Sequence, residues 1–486
     1  MPSSRRALAA VLLACGLAGA PVTTAVAAPA AGVTFTDAAF RQCVSSALNQ
    51  APSAPITPAQ AASLTSLVCD YPAVGALGGV ASLTNLVSLD LGGSTRVSDL
   101  SPLAGMTRLR TLVAPNGRIR DLAPLQRLTG LTRLEVGNNP VRSLWPLTSL
   151  TRLTTLYVDG ATWTTLLPLR PLTGLQKLSV SQDGTVDIGP LAALTKLWYL
   201  NLSVPDVTDL SSLRSLTGLT QLNLHAGAAD LAPLGPLTRL QTLSVDVADG
   251  SRGGAAALTG KPALVELSAT GLPLTSLAPV ASSTRLTTLF LVSKGLRDVS
   301  ALKAMPRLGT VVLSGVDRAD LSPLSRLPAL DFLSIDDSRL GPLSQLRGFP
   351  ALTSLELTND GLSSLDGFVV PAELSSLSVS GNHLGDLRTL SCDLLVNALG
   401  QTVPAPKAVV GHAYRLSLAG APSQTVRLAA SSSWTSSGTS VTYREAGTFR
   451  VPFTADGPDD CSGVSFDGVV VQTAGASQLL PGPRHL

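Results

Sequence analysis

Leucine recurs along the middle of this chain with a period of 22 residues. The first Leu of successive Leu-x-x-Leu units falls at Leu64, Leu86, Leu109, Leu131 and so on to Leu374, fifteen units in all. Three steps depart from 22, at 23, 21 and 24 residues. Within one unit the apolar residues are Leu131, Leu134 and Val136, then Val141, Leu144, Leu147 and Leu150. The first three alternate as in a short strand with one face inward. The later ones come every third residue, which fits a tight 3-10 turn. That turn often opens with Ser-Pro or Ala-Pro, as at Ser101-Pro102, Ala123-Pro124 and Ser322-Pro323. Proline suits a first helical position, where no amide donor is needed, and the Ser before it is expected to cap. One such unit cannot bury its leucines alone, so the pattern predicts a stack with a continuous core and a parallel inner sheet. The longest unit, Leu240 to Leu264, carries Gly250, Gly253 and Gly254 in place of the Pro turn. It is expected to bulge and move.

Both flanks break the period. Upstream, Phe40, Cys43, Val44, Ala47 and Leu48 share one helical face, with Thr36 or Asp37 as cap. A second short helix is expected from Thr57-Pro58. Downstream of Leu390 the segments AYRLSLA, QTVRLAA, SVTYRE, GTFRVPF and GVVVQTA are rich in strand formers and separated by turn residues. They predict a small antiparallel sandwich.

The extreme N-terminus reads as an export leader. Arg5 and Arg6 precede an apolar run from Ala7 to Ala20, and Ala25-Val26-Ala27 fits a cleavage site before Ala28. The alternative is a lipid anchor at Cys15, since Leu12-Leu13-Ala14-Cys15 loosely follows a lipoprotein box. No later stretch is apolar enough to span a bilayer. Beyond Cys15 four cysteines remain, an even number that suits disulfides in an exported protein. Of the three connectivities, position favours Cys43–Cys69, pinning the upstream helix to the first unit, with two buried thiols as the alternative. Cys392 and Cys461 would then staple the junction with the sandwich. The chain has 35 basic and 32 acidic residues, a net charge of +3. So slight a bias, with no basic run, argues against a nucleic-acid partner.

Segments such as LTRLEVGNNPVRSLWPLTSL and LRTLVAPNGRIRDLAPLQRL resemble the internalin-type, 22-residue class of bacterial leucine-rich repeats. TSVTYREAGTFRVPFTADG is similar to the immunoglobulin-like domain that follows internalin repeats. The resemblance implies a right-handed α/β leucine-rich-repeat solenoid with a helical N-cap and a C-terminal β-sandwich. Its expected parts are a leader (1–27), the cap (28–63), the repeats (64–391), the immunoglobulin-like sandwich (392–475) and a disordered tail (476–486). The family places Asn after each strand. Here only Asn139 and Asn382 are Asn in that column, against Ser94, Gly117, Ala161, Asp183, Pro205 and Lys294 elsewhere. The remaining turns are expected to satisfy their backbone by other means, such as water.

Catalytic chemistry is not legible. His225, His383, His412 and His485 are too dispersed for a ligand set, and Gly254 to Lys261 misses the phosphate-loop spacing. Asp459-Asp460 reads as a solvated turn. No cofactor or metal is expected, and the chain reads as a non-enzyme. The functional surface is instead the concave sheet, whose outward columns lie two, four and six residues after each first Leu. Many entrants are small, such as Ser88, Thr111, Thr155, Ser179, Thr288 and Ser378. Tyr157, Tyr199, Phe290 and Phe332 are aromatic, His225 shares their face, and Arg133, Lys177, Asp159, Glu135, Asp246 and Glu266 add charge. Aromatic and Arg side chains concentrate binding energy at interfaces, though scattered exposed rings are also ordinary. The expectation is a secreted monomer that binds an extracellular protein or glycan around Tyr157 and Tyr199. A structural envelope component without a ligand, or an enzyme inhibitor, are the alternatives.

Overall fold

The strands of successive units stack in parallel, each offset from the last by the repeat. Arg133–Glu135 pairs with Thr155–Tyr157 and that with Lys177–Ser181, each at an offset of 22. The computed structural model describes residues 32–69, 74–92, 96–160, 163–456 and 463–475. The expected leader, Cys15, Ser94, Ala161, Asp459-Asp460, Cys461 and the tail lie outside the described residues. The unequal units keep strict strand register: Gln221↔Thr242 and Thr242↔Glu266 absorb the steps of 21 and 24. The extra or missing residues therefore fall in the returns. Leu131, Leu134, Val136 and Leu222 are fully buried, as the period requires. Strand length peaks within the stack, rising from three residues at Thr155–Tyr157 to six at Tyr199–Val204 and nine at Thr288–Leu296, then falling to three at Ser376–Ser378.

The returns are 3-10 helices such as Ser101–Leu103 and Ala123–Leu125. Their caps differ from expectation. Ser101 is itself the first helical residue, and the cap is the Asp two residues earlier. Asp99 Oδ1 accepts from the Ser101 amide at 2.8 Å, and Asp121, Asp187, Asp209 and Asp230 repeat the arrangement. Proline at the second position leaves that first amide as the one to be satisfied. The long unit does not bulge. It forms a single helical turn, Gly254–Leu258, with Ala257 and Leu258 buried. Gly253, at φ +73°, permits the turn, since an added Cβ would meet Asp230 Oδ1 at 2.6 Å. Lys261 is buried behind it, donating to the carbonyls of Gly235 (2.9 Å) and Thr259 (3.3 Å), and burial lowers its pKa to about 8.

The Asn column is better filled than its letters suggest. Asn139 is buried. Its Nδ2 donates to the Ala114 and Val136 carbonyls at 2.8 and 3.0 Å, and its Oδ1 accepts from Ile119 at 3.0 Å. Asn382 makes the equivalent bonds. Elsewhere the buried hydroxyls of Ser251, Ser293 and Ser338 bond both a carbonyl and an amide of adjacent turns. Ser293 rather than Lys294 serves its unit. Asp360 accepts from the Ser338 amide at 2.8 Å.

At the upstream end, helix Ala38–Ala47 buries Phe40, Cys43, Val44 and Ser45, while Ala47 is exposed, contrary to the expected face. Asp37 caps the helix through Phe40 and also accepts from the amides of Gly75 and Ala76, which ties helix to repeat. Cys43 and Cys69 form the expected disulfide, with Cα atoms 5.4 Å apart. Helix Pro58–Ser63 follows with a Thr57/Gln60 capping box.

At the downstream end the parallel stack outlasts the leucine period. Strand Leu395–Pro404 pairs with Ser376–Ser378 at a shorter offset, Ser376↔Leu395. Gln401 reaches from it into the Asn column, donating to Val379 O and accepting from Leu384 N. Strand Val464–Gly475 extends the same sheet and pairs antiparallel with Gly447–Asp456, which pairs antiparallel with Thr425–Leu428. A second antiparallel sheet joins Ala413–Arg415, Ser440–Tyr443 and Trp434–Ser437. Trp434, Tyr443, Phe453 and Phe466 are buried there. Cys392 is disulfide-bonded; Cys461, the partner expected for it, lies outside the described residues.

Candidate functional site

Strand alternation puts Arg133, Glu135, Tyr157, Asp159, Lys177 and Tyr199 on one side of the sheet, and register brings them together. Glu135, Tyr157, Ser179 and Asn201 form one row across four strands; Arg133, Thr155, Lys177 and Tyr199 form the row beside it. Tyr157 and Tyr199 thus sit on strands two apart in adjacent rows. Ser179 lies between them and is too small to hold the rings apart. Their centroids are 6.3 Å apart, tilted by 39°. Both rings are half-buried.

Polar contacts fix the surroundings. Arg133 and Glu135 pair at 2.8 Å at one margin. Beneath the rings, Ser179 Oγ donates to Asp159 Oδ1 at 2.7 Å and accepts from Asn201 Nδ2 at 2.8 Å. Burial raises the Asp159 carboxyl pKa, with the Ser179 bond opposing it. Burial also raises the Tyr157 hydroxyl, helped by Tyr199 and Glu135. Lys177 Nζ stands 4.7 Å from the Trp198 ring centroid, within cation–π range. Trp198 packs edge-on against Tyr199 at 6.3 Å. Trp198, Ser179 and Asn201 were not singled out from sequence. Trp198 directly follows its first Leu, outside the two-four-six columns, although a Trp beside a concave Tyr was itself a signal.

The other candidates do not join this cluster. His225 Nδ1 lies 2.9 Å from Asp246 Oδ2, in the outermost column two strands beyond the middle of the cluster. Phe290 is exposed and Phe332 half-buried. They repeat the tyrosines' diagonal offset, but Val312 occupies the place of Ser179 and no ring contact joins them among the described residues. A separate cavity of about 450 Å³ opens beside the long unit, lined by Val247, Gly271, Leu272, Val292 and Lys294. Lys294 bridges to Asp249 at 3.0 Å across it. Among the described residues no three His, Cys, Asp or Glu side chains group to hold a metal, and no helix is long and apolar enough to cross a membrane.

No protein-family profile and no curated protein matches the sequence. Solved structures do. An internalin (InlF) of Listeria monocytogenes is 25% identical, with a TM-score of 0.62 over 69% of this chain and 99% of that one. The functional domain of InlJ from the same organism, described as including a cysteine ladder, is 17% identical, with a TM-score of 0.54 over 91% of this chain and 97% of that one. A leucine-rich-repeat protein of Leptospira interrogans is 19% identical, with a TM-score of 0.53 over 67% and 92%. The fold is that of the internalin-type leucine-rich-repeat proteins.

Proposed function

We propose that this internalin-like solenoid is a secreted, non-enzymatic recognition protein that binds an extracellular protein or glycan on its concave face, centred on Tyr157 and Tyr199. One observation carries the reading: two half-buried tyrosines meet over Ser179 on a hydrogen-bonded sheet. Side chains held this way before contact lose little further entropy on association. Their faces can be desolvated while the hydroxyls and the Arg133–Glu135 pair form a polar rim. In this reading the two upstream helices cap the core, the strands after Leu390 form an immunoglobulin-like sandwich, and the monomer is exported by its leader. The similarity to InlF supports a binding scaffold.

A second reading, a structural envelope component without a specific ligand, draws on the Ser and Thr that recur at many outward positions. Capture of surface components on the purified protein, followed by titration of the captured species, separates the two. The double change Tyr157→Ala with Tyr199→Ala is expected to weaken its binding at least ~30-fold, or ~2 kcal/mol, with an unchanged melting profile. Full affinity in that variant moves the site off the tyrosines; no saturable partner favours the structural reading.

A further inference from the structure

The basic residues of this nearly neutral chain are not scattered. Seven consecutive units, from the one at Leu109 to the one at Leu240, each place one exposed cation at the end of the 3-10 helix or in the turn leading from it back into the sheet. The placement alternates. Arg108, Arg152, Lys196 and Arg239 stand immediately before the first Leu of every second unit. In the units between, that position is glycine and the cation sits three or four residues earlier, as Arg127, Arg170 and Arg214. At the spacing of adjacent strands, the row runs roughly 30 Å along the stack, with a charge about every 5 Å. The next unit ends it, because its cation, Lys261, is buried.

None of the seven lies within ion-pairing distance of a carboxylate among the described residues. The cause lies in the fold. Over this stretch Asp121, Asp187, Asp209 and Asp230 are committed to capping the 3-10 helices on the opposite, downstream edge. Glu135 and Asp159 face the concave side. These turns therefore contain no acid at all. Each of the seven also carries an exposed threonine one residue before the position alternating between cation and glycine, from Thr107 to Thr238. They contain one aromatic residue, Trp198, whose ring is engaged by Lys177 and Tyr199.

From this we infer that the upstream edge is a second binding surface, for a linear acidic polysaccharide lying along the solenoid axis. Regular cations complement a regular polyanion, and the parallel threonine row offers hydroxyl partners for sugars and their acid groups. Single-stranded nucleic acid is bound through successive stacking platforms as well as charge, and these turns provide a single ring, Trp198, already taken up by Lys177 and Tyr199. The surface is distinct from the concave tyrosines, and its occupancy does not depend on them.

The test uses the full chain with two probes, heparin for sulfate groups and polygalacturonate for carboxylates, titrated at 50 and 150 mM NaCl. The parent is expected to bind at least one, and to weaken as salt rises, because each neutralised acid group releases condensed counterions. Which probe binds more tightly identifies the acid group. Arg152→Glu, Lys196→Glu and Arg239→Glu together should lose at least ~30-fold in affinity. Arg118→Glu, Arg142→Glu and Arg252→Glu, exposed elsewhere and equal in net charge, should lose less than ~3-fold. If the first triple fails to fold, Gln at the same three positions replaces Glu. Equal losses in the two triples, no binding of the parent to either polymer, or tighter binding of single-stranded DNA than of both would overturn the assignment. Tyr157→Ala should leave polymer binding intact.

Discussion

Tyr157 and Tyr199 bring their rings to 6.3 Å although their strands are not neighbours. The strand between them contributes Ser179, buried and hydrogen-bonded on both sides to Asp159 and Asn201. The pair therefore depends on a residue that does not itself present a binding surface. Ser179→Leu should push the rings apart and strand the Asp159 carboxylate without its donor. Binding of the captured partner is expected to fall at least ~10-fold, about 1.4 kcal/mol. Ser179→Ala, which keeps the gap, should cost less. Equal affinities for the two variants would show that ring spacing is irrelevant.

The middle of the stack should respond as a close-packed core. Leu222 is fully buried on strand Gln221–Ala226, paired on both sides. Leu222→Ala should destabilise by ~2–5 kcal/mol, through lost burial and the cavity left behind. In a solenoid the damage should centre on nearest neighbours. Hydrogen exchange should therefore quicken first in strands Tyr199–Val204 and Thr242–Val247. Unchanged stability would mean the side chain is not in the core.

The period made the strands legible, because inward leucines repeat whatever the turns do. The upstream helices and the Cys43–Cys69 bridge were legible for the same reason, since both cysteines fall on inward positions of predicted elements. What the letters hid was substitution of chemistry rather than of pattern. A hydroxyl at Ser293, one residue off the Asn column, bonds the same class of backbone group. Gln401 does so from a strand with no leucine period, reaching one methylene further than Asn. The two-four-six rule passed over Trp198, whose ring packs against Tyr199 and takes up Lys177. The tyrosines' columns could be read from sequence; their meeting over Ser179 required the register.

Reduction should act locally. The Cys43–Cys69 bond closes a loop with a sequence separation of 26. In the chain-entropy model, a loop of that size stabilises by ~3–4 kcal/mol. Cys43→Ala with Cys69→Ala should loosen helix Ala38–Ala47 first, because Asp37 and the buried Phe40 face then hold it without the covalent tie. Limited proteolysis should cleave near the helix in the variant and spare the central strands. Protection of the helix equal to the parent's would assign the anchoring to Asp37 and packing alone.

Asp360 offers a test by pH. It occupies the Asn column, its Oδ1 accepting from the Ser338 amide, while its buried Oδ2 has no partner. In Asn382 the corresponding group is an amide that donates to the carbonyls of Leu357 and Val379. A carboxylate cannot donate, so it faces this environment unfavourably. Burial pushes the Asp360 pKa up to about 8, with Asp336 and Asp337 adding to the rise and the Ser338 bond opposing it. The ordinary value, taken for the unfolded chain, is 3.8. Between those limits the folded state holds a proton that the unfolded state has released. Stability from this group is therefore greatest below about pH 4 and declines as pH rises to about 8, where the loss is complete. Asp360→Asn restores a donor and removes the titration. It should stabilise the protein at pH 8 by ~2–4 kcal/mol and by much less at pH 4. Denaturant melts of parent and variant at both values measure the difference. A gain that is the same at pH 4 and pH 8 would mean that Asp360 titrates alike in the folded and unfolded chain.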